Sequence, residues 1–117
     1  MIVADTSVWI DFLRSGDAEL AAALRANLVA GHQMVVAELA LGNLANRESF
    51  LDDLDTLPRA PIASDAELRA CIAARALHDR GIGFVDAHLI ASCLLSGHTL
   101  WTRDRRLHEV ATELGAA

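Results

Sequence analysis

Residues 1–10 read Met1-Ile2-Val3-Ala4-Asp5-Thr6-Ser7-Val8-Trp9-Ile10. Ile2-Val3-Ala4 is a short, apolar, β-leaning run without polar alternation, the pattern of a strand buried on both faces. It ends at an acid, and Val8, Trp9, Ile10, Phe12 and Leu13 continue as a short helix. A buried strand, a carboxylate at its carboxyl end and a helix directly behind it make the first unit of an α/β fold.

Outward from this unit the alternation continues. Leu20, Leu24 and Leu28 recur at helical spacing, with Gly31 as the expected stop. Met34-Val35-Val36 is expected as a second strand, with Glu38-Leu39-Ala40-Leu41-Gly42 opening the next helix. A helical stretch from Asn46 to Leu57 ends at Pro58, and Pro61-Ile62-Ala63 is expected as a third strand. Ser64 and Glu67 form a capping-box pair before Leu68, Cys71 and Ile72, and Gly81 is the expected end of that helix. From Asp86 to Ser96 the chain is apolar nearly all round, which places a helix at the centre of the fold, stopped by Gly97. Thr99-Leu100-Trp101-Thr102 follows as a strand, then an amphipathic helix on Leu107, Val110, Ala111 and Leu114. Strands alternating with helices predict a three-layer α/β/α domain around a central, mostly parallel sheet. No repeat or linker divides residues 1–117, so one domain is expected.

Composition narrows the chemistry. Of the 117 residues 53% are hydrophobic and 22% charged, which excludes a disordered tail. No apolar run approaches the ~20 residues of a membrane span, and no basic segment precedes an apolar one at the N-terminus, so a cytoplasmic protein is expected. Cys71 and Cys93 belong to no C-x-x-C pair and read as small buried hydrophobes. All ten basic residues are arginines. Without a lysine there is no P-loop, no receiver-type or haloacid-dehalogenase-type phosphoryl site and no Schiff base. The net charge of -6 argues against a non-specific DNA binder, but not against a nuclease whose acids hold cations.

Four acids stand at the expected junctions: Asp5 after the first strand, Glu38 after the second, Asp86 at the start of the central helix and Asp104 after the Thr99–Thr102 strand. Singly, an acid at a helix start is a cap or a partner for the helix dipole. Jointly, they lie where open α/β sheets bind ligands, outside the carboxyl ends of the strands. Gathered there, they repel one another and hold protons more tightly. With no lysine to neutralise them, a hard divalent cation such as Mg²⁺ or Mn²⁺ is the fitting counter-charge. Such an ion activates water and stabilises the charge that develops when a phosphodiester is cleaved.

The first ten residues resemble the opening of the PIN-domain ribonucleases, particularly the VapC toxins of VapBC modules. Three further blocks follow in the family's order: Glu38-Leu39-x-x-Gly42, Asp86-Ala87-x-x-Ile90-Ala91 and Leu100-Trp101-Thr102-Arg103-Asp104. The resemblance covers nearly the whole chain. It implies a Mg²⁺- or Mn²⁺-dependent endoribonuclease toxin that cleaves RNA, forms a homodimer and is neutralised by a VapB-type antitoxin. Matched by position, Asp5, Glu38, Asp86 and Asp104 form the catalytic acidic site. Asp5 and Asp86 are the expected metal ligands; Glu38 and Asp104 act through water or a second ion. The competing classes are a non-catalytic interaction module with the same fold and a metal-dependent phosphatase. The phosphatase is opposed by Ser7, where a second aspartate would be needed, and by the missing lysine. Because residues 115–117 follow the last helix so closely, the family's final edge strand is expected to be short or missing.

Ser7 and Thr102 lie two residues from Asp5 and Asp104, and are read either as hydroxyls that orient the carboxylates or as a helix cap and an ordinary strand residue. Arg103, Arg105 and Arg106 bracket Asp104 and are candidate RNA-phosphate contacts. His88, two residues past Asp86, turns about 200° away round the helix and is read as a structural or interface histidine rather than a ligand. His32, His78, His98 and His108 are expected at the surface, and Trp9 and Trp101 in the core.

Overall fold

The computed structural model describes all residues 1–117. The elements run β1 (Ile2–Ala4), α1 (Thr6–Ser15), α2 (Ala18–Arg25), β2 (Val29–Ala30), α3 (Gln33–Leu41), α4 (Arg47–Asp55), α5 (Asp65–Ala74), α6 (Phe84–Ser96), β3 (Thr99–Trp101) and α7 (Arg105–Glu113). The three strands form one parallel sheet in the order β2-β1-β3. Val3 and Ala4 point to opposite faces of that sheet, and both are buried, as are Val29 and Ala30. Helices therefore cover both faces, as the α/β/α expectation requires. The chain leaves β1 on one side to form β2 and crosses to the other to form β3. The switch in strand order thus falls between β1 and β3, and the crevice at their carboxyl ends is where such sheets bind ligands.

Three expected elements are corrected. The helix carrying Leu20 ends at Arg25, not near Gly31: Asn27 adopts a left-handed conformation (φ 57°), which Asn tolerates well, and Leu28 is exposed. The second strand is Val29–Ala30, and Met34-Val35-Val36 belongs to α3. There the β-branched pair is overruled by a cap, since His32 Nδ1 accepts the Met34 N–H at 3.1 Å, and by the burial of Val35 and Leu39 one helical turn apart. Pro61-Ile62-Ala63 is irregular. The pairing falls three residues earlier, where Gly31 N–H donates to Pro58 O (2.7 Å) and Ala60 N–H to Gly31 O (2.8 Å). Pro61, having no N–H, cannot extend that ladder.

The capping box at Ser64 and Glu67 forms, although α5 stops at Ala74 rather than at Gly81. Gly97, left-handed at φ 72°, ends α6, the central buried helix. No strand follows α7. The tail turns back instead, and the Ala116 carbonyl accepts the Leu100 N–H (2.7 Å) on the outer edge of β3. Trp9 is a core residue with edge-on contacts to Phe12 and Phe50, and both cysteines are free thiols.

Candidate active site

Asp5 is the first residue after β1 and the N-cap of α1. Its N–H donates to Trp101 O (2.9 Å), which ties it to the end of β3. Asp5 is only 6% exposed, and four donors serve its carboxylate. Oδ1 accepts from Ser7 N (2.9 Å), Val8 N (3.3 Å) and, in a very short contact, Ser7 Oγ. Oδ2 accepts from Thr102 Oγ1 at 2.5 Å. Both hydroxyls are themselves hydrogen-bonded from behind: Arg103 N–H donates to Ser7 Oγ (2.9 Å), and Asp104 N–H to Thr102 Oγ1 (3.0 Å). Two main-chain amides of the β3–α7 loop thus fix two hydroxyls, and each hydroxyl delivers its proton to a different oxygen of Asp5. Ser7 does not cap α1; Asp5 does.

Asp104 caps α7, Oδ1 accepting the Leu107 N–H at 3.1 Å. Asp86 lies in the first turn of α6, where Oδ2 accepts the Gly83 N–H at 3.0 Å. Burial pushes the Asp86 carboxyl above the ordinary carboxylate range, and the charges of Asp104, Asp5 and Glu38 push the same way, opposed by the Gly83 hydrogen bond. All four acids therefore share one electrostatic neighbourhood. Glu38 is a partial correction: it sits in the middle of α3 rather than at a helix start, and its exposed carboxylate accepts from Thr6 Oγ1 at 2.6 Å.

The three arginines separate. Arg103 pairs with Asp17 and, at 3.3 Å, with Asp11. Arg105 is 92% exposed and pairs with Glu109 along α7. Arg106 makes no ion pair and lies on Gly81, where a side-chain Cβ would stand 2.5 Å from Nη1. Gly81 also has φ 76°, so the backbone favours glycine there, whereas the flexible Arg106 side chain could move aside for a Cβ. Arg80 bonds Glu113 of α7 at 2.8 Å, a second tie between α7 and the loop leading to Asp86.

Two histidines were placed differently by the sequence. His88 is buried, stacked edge-on against Phe84 (4.7 Å between centroids), with Nδ1 lacking a partner. His32 is not at the surface but 1% exposed. Because Nδ1 accepts the Met34 N–H, Nε2 carries the proton and donates to Ser92 Oγ at 2.8 Å. Burial, with the neighbouring His88 and Arg59, lowers the His32 pKa to about 4. Thr6, Asp11 and Asp17 are further polar residues of this region that sequence reasoning did not single out. Thr6 was legible as a hydroxyl beside Asp5. Nothing in the sequence joins Asp17 to Arg103, 86 residues away.

The donor set fits a hard cation. It is made of carboxylate oxygens, and Arg103, next to Asp104 in the chain, is paired with Asp11 and Asp17. As they stand, no three acidic, imidazole or thiol groups converge tightly enough to ligate one ion among them.

The PIN domain family model matches residues 2–113. The chain belongs to the PIN-domain family. Ribonuclease VapC32 of Mycobacterium tuberculosis, from strain CDC 1551 / Oshkosh and from strain ATCC 25618 / H37Rv, is 42% identical to it over 118 residues, covering 100% of this chain and 95% of the relative. The resemblance to VapC PIN domains carried by the four ordered blocks is borne out over the whole length. In this PIN domain the sheet has three strands, and no helix is long and apolar enough to cross a membrane.

Proposed function

We propose that this PIN domain is the toxin of a VapBC-type toxin–antitoxin module, a Mg²⁺- or Mn²⁺-dependent endoribonuclease that hydrolyses RNA phosphodiester bonds. The observation that carries the reading is the Asp86 carboxyl, which feels Asp5, Glu38 and Asp104 at the switch point of a parallel sheet. The charges of Asp5, Glu38 and Asp104 all reach the Asp86 carboxyl, an unfavourable arrangement that a bound cation would relieve.

In this reading Asp5 and Asp86 hold the ion directly, and Glu38 and Asp104 hold its water shell or a second ion. When bound, the ion supplies Lewis acidity toward the phosphodiester and its attacking water. The chain's own residues do the rest. Ser7 and Thr102 fix the rotation of the Asp5 carboxylate, so that the lone pairs left free by their hydrogen bonds face the crevice. Asp86, whose charged form is disfavoured by burial and by three like charges, is the acid that a cation would relieve most. Glu38 is anchored by the hydrogen bond from Thr6, the residue after Asp5. Arg106, the free cation of the three, takes a flanking phosphate, and Arg105 adds exposed positive charge nearby.

A VapB-type antitoxin and a second copy of the chain are the proposed protein partners. Their support is apolar surface that a partner covers: Leu41 is 89% exposed, Phe84 65% and Leu95 53%, and Ile10, Leu13 and Leu44 line an apolar groove beside α1. The reading is tested by incubating the purified protein with single-stranded RNA and Mg²⁺. Cleavage that is lost on chelation and lost in the Asp5→Asn and Asp86→Asn variants is the expected result. Cleavage that survives both substitutions would remove the acids from the reaction.

A further inference from the structure

The β3–α7 loop reaches Asp5 only through two hydroxyls, and Arg103 is the residue placed to hold it there. Its N–H donates to Ser7 Oγ at 2.9 Å. Its guanidinium lies between Asp11, at 3.3 Å from Nε, and Asp17. Asp17 is itself fixed. Its side chain is 9% exposed, and its other oxygen accepts the Leu20 N–H (3.0 Å) as the N-cap of α2. Arg103 therefore joins three pieces of chain distant in sequence: α1, the start of α2 and the loop after β3. A guanidinium shared by two carboxylates has its charge compensated and its donors directed, and is a poor contact for a phosphate.

The effect on Asp5 is directional. Ser7 Oγ has one proton to give. While it accepts from Arg103 N–H, that proton is directed to Asp5 Oδ1. If the loop moves, Ser7 loses this constraint, and Thr102, one residue before Arg103, carries Oδ2's donor away with it.

We propose that Arg103 is a positioning residue rather than an RNA contact: the Asp11–Arg103–Asp17 clamp holds the β3–α7 loop so that Ser7 and Thr102 orient Asp5. This rests on the proposed active site only in placing Asp5 within it.

The two roles of Arg103 predict opposite signs for one variant. In Asp11→Asn/Asp17→Asn the clamp is weakened, Arg103 keeps its charge, and Asn still caps α2. If Arg103 positions the loop, this variant and Arg103→Ala both lower kcat by about tenfold with KM for RNA unchanged, the low end of what losing an orienting partner of a metal ligand costs. Arg103→Lys recovers part of the loss. The concentration of Mn²⁺ that half-saturates the thermal shift of the full chain rises by a similar factor in the clamp variants. Because Arg103 acts through Ser7, adding Arg103→Ala to Ser7→Ala costs less than the product of the two single effects. If Arg103 binds RNA, releasing it from two acids tightens RNA binding, kcat is kept, and the Ser7 and Arg103 effects multiply; that pattern overturns the proposal. Should the wild type cleave no RNA, the ribonuclease reading fails while the Mn²⁺ titration still decides the clamp: an unchanged half-saturation in both clamp variants overturns it.

Discussion

Asp5 and Asp86, the two proposed metal ligands, are held in opposite ways. Asp5 is buried at a strand end with donors on both oxygens, and the protein alone stabilises its charge. Asp86 is half-buried on a helix with one main-chain donor, and three like charges bear on it. The first is a fixed post built into the sheet. The second is a charge whose balance waits on a cation. A site needs both, since a fully satisfied cluster has no appetite for an ion and a fully unsatisfied one strains the fold.

The largest expected effect tests the post. Asp5→Asn lowers RNA cleavage by more than about a hundredfold, beyond the loss of a mere orienting partner. The far-ultraviolet circular dichroism is retained, because Asn still caps α1. If cleavage falls by less than tenfold, Asp5 is structural and the comparison collapses. Next is the cation. Mg²⁺ or Mn²⁺ at about a hundred times its Kd should add about 2.7 kcal/mol of stability, a rise in Tm on the order of 10 °C in calorimetry. The Asp5→Asn/Asp86→Asn double variant loses that rise.

Acid stability separates the site from the fold beneath it. His32 is held neutral in the folded protein, with its pKa lowered to about 4 from 6.5. Unfolded chains bind that proton first as pH falls, so the contribution is fully present above pH 6.5 and is lost between there and pH 4, at most about 3 kcal/mol. His32→Asn keeps a capping side chain and removes the titration, so its acid unfolding midpoint, followed by circular dichroism, should lie at lower pH than wild type. An unchanged midpoint assigns acid unfolding to other groups. Asp86 works in the other direction. Its proton is held more tightly in the folded state, so its contribution to stability falls as pH rises through its window, and Asp86→Asn should slightly raise the metal-free Tm at neutral pH. Asp5→Asn should not raise it, having donors to lose.

The smallest effect concerns RNA binding. Arg106→Ala should weaken binding to all single strands alike and flatten the log–log salt dependence by about 0.7, one phosphate's worth. Arg105→Ala, removing an exposed i,i+4 pair, should change binding less.

The opening ten residues made β1, α1 and Asp5 legible because strand, acid and helix follow one another without interruption. Asp86, Gly97, Asp104 and the capping box at Ser64 were legible for the same reason: each is a local signal at an element boundary. The second strand was not, because two residues carry no periodicity, and the Val35-Val36 pair beside it has the stronger β-propensity. Glu38 was singled out as a candidate but given the wrong place on its helix, since the capping group is a histidine, an uncommon N-cap. His32 looked like a surface residue because its burial depends on Ser92, 60 residues later. The Asp17–Arg103 contact was invisible for the same reason, which made Arg103 look like a free cation.

The return of the tail to the sheet leaves a spectroscopic handle. Ala116 is 3% exposed, and its carbonyl is the acceptor for the Leu100 amide on the outer edge of β3. Thr102 lies only two residues beyond that amide, so any breathing of the tail is felt close to the hydroxyl that holds Asp5. Deuterium uptake at the single Leu100 amide therefore times the docking of the last three residues, and it does so without RNA, metal or partner present.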